Sequence, residues 1–289
     1  MITIFLAILF TTLMFICFKY FHRFNINTFH AILVNYFVAA AISYYFTDNS
    51  FEIDLGASWV KVSAVMGLMF ILAFVVTSIT AQKVSLIVSM ISSKMSLVIP
   101  LTYAIIFVGE EMTWIKAIAI VLAMVGVVLT IVQGEQKRPS TLSKKKSLLL
   151  IVAVFLGSGL VDTSFKHVET NFYALVPQNF IMMICYASAA LFAVIYFAFS
   201  RIKGPITFSY RAIPAGIILG SFNYFSFHFV LEALHYNGLP STIVFPIVNV
   251  GVLLLSALAA VLLFHERLRL INYVGVAISI LSIVLLALQ

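Results

Sequence analysis

Long apolar segments, separated by short polar connections, take up almost the whole chain. Each segment is close to the ~20 residues with which a helix crosses the hydrocarbon of a bilayer. The segments lack the alternation of polar and apolar residues that marks the strands of membrane barrels, so we predict helices. The pattern predicts ten membrane-spanning helices, at Ile2–Phe18, Phe29–Phe46, Trp59–Ile79, Val84–Val108, Trp114–Val132, Leu148–Phe165, Tyr173–Phe199, Ala212–Leu234, Leu239–Phe264 and Leu270–Leu288.

The composition agrees with a chain that is surrounded by lipid. Of its 289 residues 63% are hydrophobic and 9% are charged, whereas a soluble domain carries about 25% charged residues. We therefore expect an all-α integral membrane protein without a soluble domain. The net charge of +7 resides mostly in short connections, which favours contact with lipid headgroups over nucleic acid. Ile2–Phe18 lacks the cleavage pattern of a signal peptide, so we expect a retained first span.

A basic connection at residues 133–147 divides the chain into halves of five predicted spans each. We expect a first repeat at 1–133, a linker at 134–147 and a second repeat at 148–289. Of the 17 lysines and arginines, 13 fall on the side of this linker, 3 fall on the other side, and Lys94 lies within a span. Because basic connections favour the cytoplasm, the linker is predicted to be cytoplasmic, both termini outside, and the chain multi-pass in the cytoplasmic (inner) membrane.

The second half resembles the first in sequence. Setting Glu110 on Glu266 aligns Val84–Val132 with Pro240–Leu288 without gaps. The aligned pairs, in this and in separate registers, are Ser85 with Ser241, Ile91 with Ile247, Ser93 with Asn249, Phe18-Lys19 with Phe165-Lys166, Asn35-Tyr36 with Asn179-Phe180, and Gly67 with Gly220. Because each half has an odd number of spans, the second half enters the membrane in the opposite orientation. Inverted repeats are a recurrent design of secondary transporters, with the substrate site between the halves near the midplane.

Each copy contains an apolar span, a Gly109-Glu110 or His265-Glu266 corner, and a span of small and aliphatic residues. In this arrangement the chain resembles the EamA family of the drug/metabolite transporter superfamily over essentially its whole length. His265 and Ser282 stand where the family usually has glycine. The resemblance implies ten spans in two inverted halves and alternating access around a cavity that both halves line. We expect a monomer or homodimer. Family members carry amino acids, metabolites, nucleotides or xenobiotics, so the cargo stays open.

Lys94 lies near the middle of the fourth span, where translocon scales assign a lysine about 2.5 to 3.5 kcal/mol. At 100° per residue it points away from a stripe of serines that suits close helix packing, namely Ser85, Ser89, Ser92, Ser93 and Ser96. Lys94 is therefore predicted to face a cavity and to bind an anionic part of the cargo. A structural ion pair between two helices is the alternative. Asn249 is a second candidate, for which cavity lining and an interhelical hydrogen bond are both open. Pro100, Pro177, Pro214 and Pro246 predict kinks or breaks.

Two acidic positions allow more than one interpretation. Asp162 and Lys166 are four residues apart with the acid first, so they can pair along one helix face. Alternatively, Asp162 meets Lys94 across the cavity as a counter-ion that the substrate displaces. Glu110 and Glu266 lie where spans turn, and capping and packing explain them without a substrate role.

The eighth span carries a polar stripe at spacings of four, four, four and three residues: Gly220, Tyr224, His228, Glu232 and His235. Asn223 lies beside the stripe. A histidine and a carboxylate one turn apart can titrate near neutral pH, as a proton-coupled carrier requires. Asn223, Tyr224 and His228 are candidate substrate contacts, and Glu232 with His228 is the candidate proton-coupling pair. A hydrogen-bonded wall that holds the helix to a neighbour is the alternative.

These features predict a secondary transporter that moves a small metabolite, such as an amino acid or an organic anion, across the cytoplasmic membrane by alternating access. Proton coupling is one way to drive it. The alternatives are a membrane-embedded enzyme and a non-transporting membrane scaffold. The sequence contains neither His-Glu-x-x-His nor Gly-x-Ser-x-Gly, and its six histidines lack the spacing of metal ligands. We therefore expect no catalytic residue, no cofactor and no metal site.

Overall fold

The computed structural model describes residues 2–47, 54, 56–84, 86–131, 143–202, 208–236, 240–264 and 270–288, and the regular structure of these residues is helical. A π-helical turn at Ala104–Val108 continues the fifth helix. The α-helices are α1 (Ile2–Arg23), α2 (Thr28–Tyr45), α3 (Ser58–Lys83), α4 (Leu86–Met95), α5 (Val98–Tyr103), α6 (Trp114–Ile131), α7 (Lys144–Phe172), α8 (Gln178–Ile202), α9 (Ala212–Tyr236), α10 (Ser241–Phe264) and α11 (Leu270–Ala287).

Five of the described helices are long and apolar enough to cross a membrane: Thr28–Tyr45, Ser58–Thr77, Lys144–Phe172, Gln178–Phe199 and Ala212–His235. Shorter apolar helices lie at Ile2–Phe18, Ser92–Val108, Trp114–Gly126, Ser241–Ser256 and Tyr273–Leu285. The surface also carries large apolar side chains, since Trp114 is 86% and Phe107 74% exposed. Hydrocarbon tolerates such a surface, whereas a soluble monomer rarely exposes large apolar patches. The fold is that of a helical membrane protein.

Helix α7 is longer than the sequence predicted. The sixth span was expected to end at Phe165, but the helix continues to Phe172, and the next helix begins at Gln178 instead of Tyr173. Lys166 and Glu169, which follow the predicted end, form an ion pair of 2.9 Å along the helix. Because their charges are paired, these polar residues extend the helix rather than end it.

The fourth predicted span is interrupted between α4 and α5. Pro100 has no N–H to donate to the carbonyl of Ser96, and the N–H of Ile99 donates to that carbonyl instead, at 2.9 Å. The predicted break at Pro100 is thus confirmed, whereas Pro246 does not break its helix, since α10 continues through it. The break at Pro100 follows Lys94 directly, so the lysine lies in the last turn of α4.

The π-helical turn ends in a sharp corner. Gly109 has a φ of 78°, a left-handed conformation that glycine adopts without strain. The N–H of Glu110 donates to the carbonyl of Ala104 at 3.1 Å and closes the turn. We call the end of the helix bundle that contains Glu110 the corner end.

The most extensive helix contacts join the first half of the chain to the second. Helix α2 packs on α9, and α3 packs on α8; α1 packs on α9 and α10, and α7 packs on α3 and α4. Two further pairs, α2 with α8 and α6 with α11, join helices at the same position in each half. Exchanging the two halves therefore leaves this pattern of contacts unchanged.

Helices α2 and α8 share one pattern of burial. From residue 30 to 47 and from 180 to 197, buried, half-buried and exposed positions follow in the same order, apart from positions 40 and 190. In this register Tyr36 matches Tyr186 and Asn35 matches Cys185. The sequence comparison paired Asn35 with Asn179, which lies six residues before Cys185. The burial pattern contradicts that pairing, because equivalent positions of the two helices are those that are buried alike.

Two glycines allow the backbones of paired helices to approach closely. A Cβ atom on Gly67 of α3 would clash with the carbonyl oxygen of Cys185, and one on Gly220 of α9 would lie 2.6 Å from the carbonyl oxygen of Asn35. Cys185 and Asn35 match in the burial register, so the two glycines approach equivalent points. The sequence pairing of Gly67 with Gly220 agrees with this packing, in which only a residue without a side chain fits.

Candidate functional site

Lys94 joins the two halves of the chain inside the helix bundle. Its Nζ donates to Oδ1 of Asn249 in α10 at 2.8 Å. The ring of Phe15 in α1 lies beside the ammonium group, with its centroid 5.7 Å from Nζ. The sequence singled out Lys94 and Asn249 separately, and the structure brings them together. Phe15 was missed, since nothing distinguishes it among 27 phenylalanines.

The serines of α4 face other helices, as the helical geometry predicted. Ser89 donates to the carbonyl of Thr77 in α3 at 3.2 Å, and Ser92 donates to the carbonyl of Ile151 in α7 at 2.7 Å. These bonds hold α4 against α3 and α7. Lys94 is therefore left to extend in the direction of α1 and α10.

Asp162 of α7 lies near Lys94. The two side chains do not form an ion pair, since no nitrogen–oxygen distance between them is as short as 4.0 Å. One turn earlier on α7, Ser158 donates to Oγ of Ser93 at 2.9 Å. This bond places α7 beside the residue that precedes Lys94. Both charged residues are half-buried.

The predicted pairing of Asp162 with Lys166 is wrong. Nζ of Lys166 lies 3.1 Å from a carboxylate oxygen of Glu110 and 2.9 Å from one of Glu169. Lys166 lies one turn farther toward the corner end, where two carboxylates meet it. The alternative, in which Asp162 meets Lys94, stays a prediction.

Glu110 caps a helix of the opposite half. Its carboxylate accepts the N–H and the hydroxyl of Ser241 at 3.0 and 2.7 Å, and the N–H of Thr242 at 2.9 Å. These groups begin α10, whose dipole favours a negative charge there. Burial alone would raise the pKa of Glu110, but the hydrogen bonds from Thr242, Ser241 and Lys166 outweigh it and hold the pKa below its ordinary value. The predicted capping role is confirmed, whereas Glu266 lies outside the described residues.

The polar residues of α9 form a second cluster, closer to the corner end. The hydroxyl of Tyr224 donates to Oδ1 of Asn179 at 3.0 Å. Gln178 donates to the carbonyl of His228 at 2.9 Å, and its amide nitrogen is 3.1 Å from Nδ1 of the same histidine. His228 Nε2 and Glu232 lie 3.9 Å apart. Both side chains are partly exposed.

Asn223 belongs to neither group. It is fully buried and donates to Oδ1 of Asn35 at 3.0 Å. This bond joins α9 to α2 one residue from Tyr36. The structure thus brings Lys94, Asn249 and Asp162 together, places Tyr224, His228 and Glu232 in a separate cluster, and gives Asn223 a packing contact.

Aromatic pairs flank the charged site along the bundle. Phe165 of α7 and Phe227 of α9 stack with centroids 4.6 Å apart, and Phe70 contacts both, at 5.5 and 5.0 Å. Phe18 corresponds to Phe165 in the sequence repeat, and Phe74 corresponds to Phe227 in the register that pairs Gly67 with Gly220. The tilted rings of Phe18 and Phe74 have centroids 5.5 Å apart. The sequence indicated Phe18 and Phe165 as equivalent residues, because Phe18-Lys19 is repeated as Phe165-Lys166.

An open apolar groove of about 440 Å³ lies between α2 and α9, apart from the charged groups. Its lining residues are Val38, Ala41, Ile42, Tyr45, Phe46 and Phe225. This apolar lining suits a lipid chain better than a charged cargo. Among the described residues, no group of three His, Cys, Asp or Glu side chains is placed to hold a metal ion.

Comparison with known proteins bears on the fold. No protein-family model matches the chain. A protein of Haemophilus influenzae described as uncharacterized is 26% identical over 218 residues, which are 75% of this chain and 72% of that protein. The crystal structure of another protein superposes with a TM-score of 0.74 at 13% identity, over 99% of this chain and 96% of that one. This similarity shows that the whole chain has a fold found in another protein.

Proposed function

We propose that this chain is a secondary transporter of the EamA type, with ten spans in two inverted halves in the cytoplasmic membrane. Two observations support the inverted repeat. The pattern of helix contacts is unchanged when the two halves are exchanged, and Gly67 and Gly220 approach equivalent points of α8 and α2. Tyr36 and Tyr186, which occupy equivalent positions, have ring centroids 6.5 Å apart. Equivalent residues meet only near the axis that relates them, so the proposed pseudo-two-fold axis passes between these rings.

The observation that carries the proposal is the charged site between the halves. Lys94 comes from the first half, whereas Asn249 and Asp162 come from the second. Charged residues inside membrane helices are costly and mark substrate or ion pathways. Inverted-repeat carriers bind their cargo at such a place, between the halves near the midplane. In this proposal Lys94 attracts the anionic part of a small metabolite.

In this proposal the two aromatic pairs are the barriers of alternating access. With the linker in the cytoplasm, the corner end faces outward, and the stack of Phe70, Phe165 and Phe227 is the outer barrier. The ion pair of Lys166 with Glu110 lies directly beside it and joins the halves. The looser pair of Phe18 and Phe74 is the inner barrier. Opening one barrier while closing the other would expose the site around Lys94 to each side in turn.

His228 and Glu232 are the proposed proton-coupling pair. They lie between the charged site and the corner end, within 3.9 Å of each other. Protonation of Glu232 from outside would reduce the charge of the cavity entrance and ease its closure, which would drive import along an inward proton gradient. Export would use the reverse order. Tyr224 and Asn179, hydrogen-bonded at 3.0 Å, continue the polar wall of this entrance.

Flux through the purified protein in liposomes tests the function. A thermal-shift screen of a metabolite panel selects compounds for uptake assays, with a pH gradient and without one. We expect uptake of at least one compound, loss of binding in Lys94→Ala, and exchange without pH dependence in Glu232→Gln. Absence of flux for every compound that binds would refute the transporter. Normal transport by Lys94→Ala would refute the assignment of the site.

A further inference from the structure

The side-chain amide of Gln178 meets His228 at two points. Gln178 begins α8, and its amide nitrogen donates to the backbone carbonyl of His228 in α9 at 2.9 Å. The same nitrogen lies 3.1 Å from Nδ1 of the imidazole ring. The sulfur of Met182, a weaker acceptor, is farther away, at 3.5 Å. The two hydrogens of the amide nitrogen therefore serve the carbonyl and the ring together.

The backbone carbonyl of His228 decides which end of the Gln178 amide points at the ring. A carbonyl oxygen only accepts hydrogen bonds, so the group that binds it is the nitrogen of the amide and not its oxygen. This nitrogen only donates, so Nδ1 of His228 is the accepting, unprotonated nitrogen of the ring. A neutral imidazole that accepts at Nδ1 carries its one proton on Nε2.

The protonated nitrogen of the ring is the one that lies toward Glu232. Nε2 of His228 is 3.9 Å from Oε2 of Glu232, which is one helical turn farther along α9. Tyr224 stacks on the ring from the preceding turn, with centroids 5.6 Å apart, and Phe229 meets it edge-on at 5.2 Å. Of the described residues in contact with the ring, Tyr224 and Glu232 on α9 are titratable, whereas Gln178 of α8 is uncharged. Glu232 is therefore the carboxylate that faces the N–H group.

A second proton on His228 would have to bind Nδ1, to which the amide of Gln178 already donates. The new N–H group would then face the amide nitrogen, and neither of these two donors would have an acceptor. Leaving donors unsatisfied in this way costs free energy. The contact with Gln178 therefore opposes the charged form of His228 and favours the neutral ring.

We propose that Gln178 is a positioning residue, which keeps His228 neutral with its proton on Nε2 and leaves Glu232 as the group that takes up the coupled proton. The inference rests on the proposed proton coupling and gives the two members of the pair different roles. While Glu232 is ionised, the N–H group of His228 faces its carboxylate and stabilises the charge. When a proton from water binds an oxygen of Glu232, the carboxylate becomes a neutral acid, and His228 keeps the proton that it already had.

Nitrogen NMR tests the protonation of His228 without any ligand. The full chain with isotope-labelled histidine is measured in detergent near neutral pH, and the signals of His228 are those missing from His228→Phe. We expect the neutral form with the proton on Nε2 to exceed the form with the proton on Nδ1 by at least about tenfold. Gln178→Met removes the donor and should reduce this excess by about threefold or more. Gln178→Glu offers an acceptor instead, so the proton should move to Nδ1 or the ring should become doubly protonated.

Asn171 and His167 of α7 provide a matched control. The amide nitrogen of Asn171 donates to the backbone carbonyl of His167 at 2.8 Å and lies 3.2 Å from Nδ1 of the same ring. The contacts are thus of the same kind as those of Gln178 with His228. Asn171→Ala should leave the signals of His228 as in the parent. If it changed them as much as Gln178→Met does, the effect would be a general change of structure, and the proposal would be wrong.

Infrared difference spectroscopy then locates the second proton. Acidification of the parent should produce the C=O band of a carboxylic acid that Glu232→Gln lacks, while the NMR signals of His228 remain those of the neutral ring. The proposal is overturned if His228 becomes doubly protonated before Glu232 binds its proton, or if Gln178→Glu leaves the proton of His228 on Nε2. Neither spectrum depends on transport. Absence of flux in liposomes would therefore refute the proposed function, whereas the spectra decide the roles of Gln178, His228 and Glu232 separately.

Discussion

We predict that the ion pair of Lys166 with Glu110 contributes a large part of the stability of the contact between the two halves at the corner end. Each side chain is only 9% exposed. Lys166→Met would leave Glu110 and Glu169 without their shared cation, and removing one member of a buried pair typically costs about 3–5 kcal/mol. Glu110 would keep its hydrogen bonds from Ser241 and Thr242. We therefore expect a loss near the lower limit, about 3 kcal/mol of the free energy of unfolding.

A double-mutant cycle measures this coupling. Unfolding of the parent, Lys166→Met, Glu110→Gln and the double variant would be followed by circular dichroism as SDS is titrated into detergent micelles. The double variant should be more stable than the sum of the single losses predicts, by about 1–3 kcal/mol, because no uncompensated charge remains at position 110. Lys145→Met, exposed on the same helix, should change the free energy of unfolding by less than about 0.5 kcal/mol. Additive losses, or a neutral Lys166→Met, would refute the reasoning.

Three further predictions concern pH, packing and orientation. The folded state lowers the pKa of Glu110 below its ordinary 4.5. The ionised carboxylate therefore stabilises the fold fully above pH 4.5, and this stabilisation is lost as the pH falls through the lowered pKa. SDS unfolding of the parent should show this loss, and Glu110→Gln should lack it. Gly67→Ala should destabilise the chain in the same assay, whereas Gly157→Ala should be nearly neutral, since its Cβ would lie 3.4 Å from the nearest atom. A reporter fused after Gln289 should be active outside the cytoplasm, and activity only inside would reverse the proposed orientation.

The sequence by itself determined the helical membrane fold. Apolar length alone predicts spans, because a bilayer leaves backbone polar groups no partners outside a helix or barrel. The break at Pro100 also followed from one residue, since proline lacks a donor, although Pro246 lies within α10 without ending it. Lys94 was found in the same way, because a charge among apolar residues is informative before any neighbour is known. These are properties of a residue in its own segment.

Only the tertiary structure decided which residues meet. Lys166 is four residues from Asp162, but it pairs with Glu110, which no local pattern brings near it. The partner of Lys94 is likewise 155 residues away. Helical periodicity gives the direction in which a side chain points, whereas the packing of the helices determines which residues it meets there.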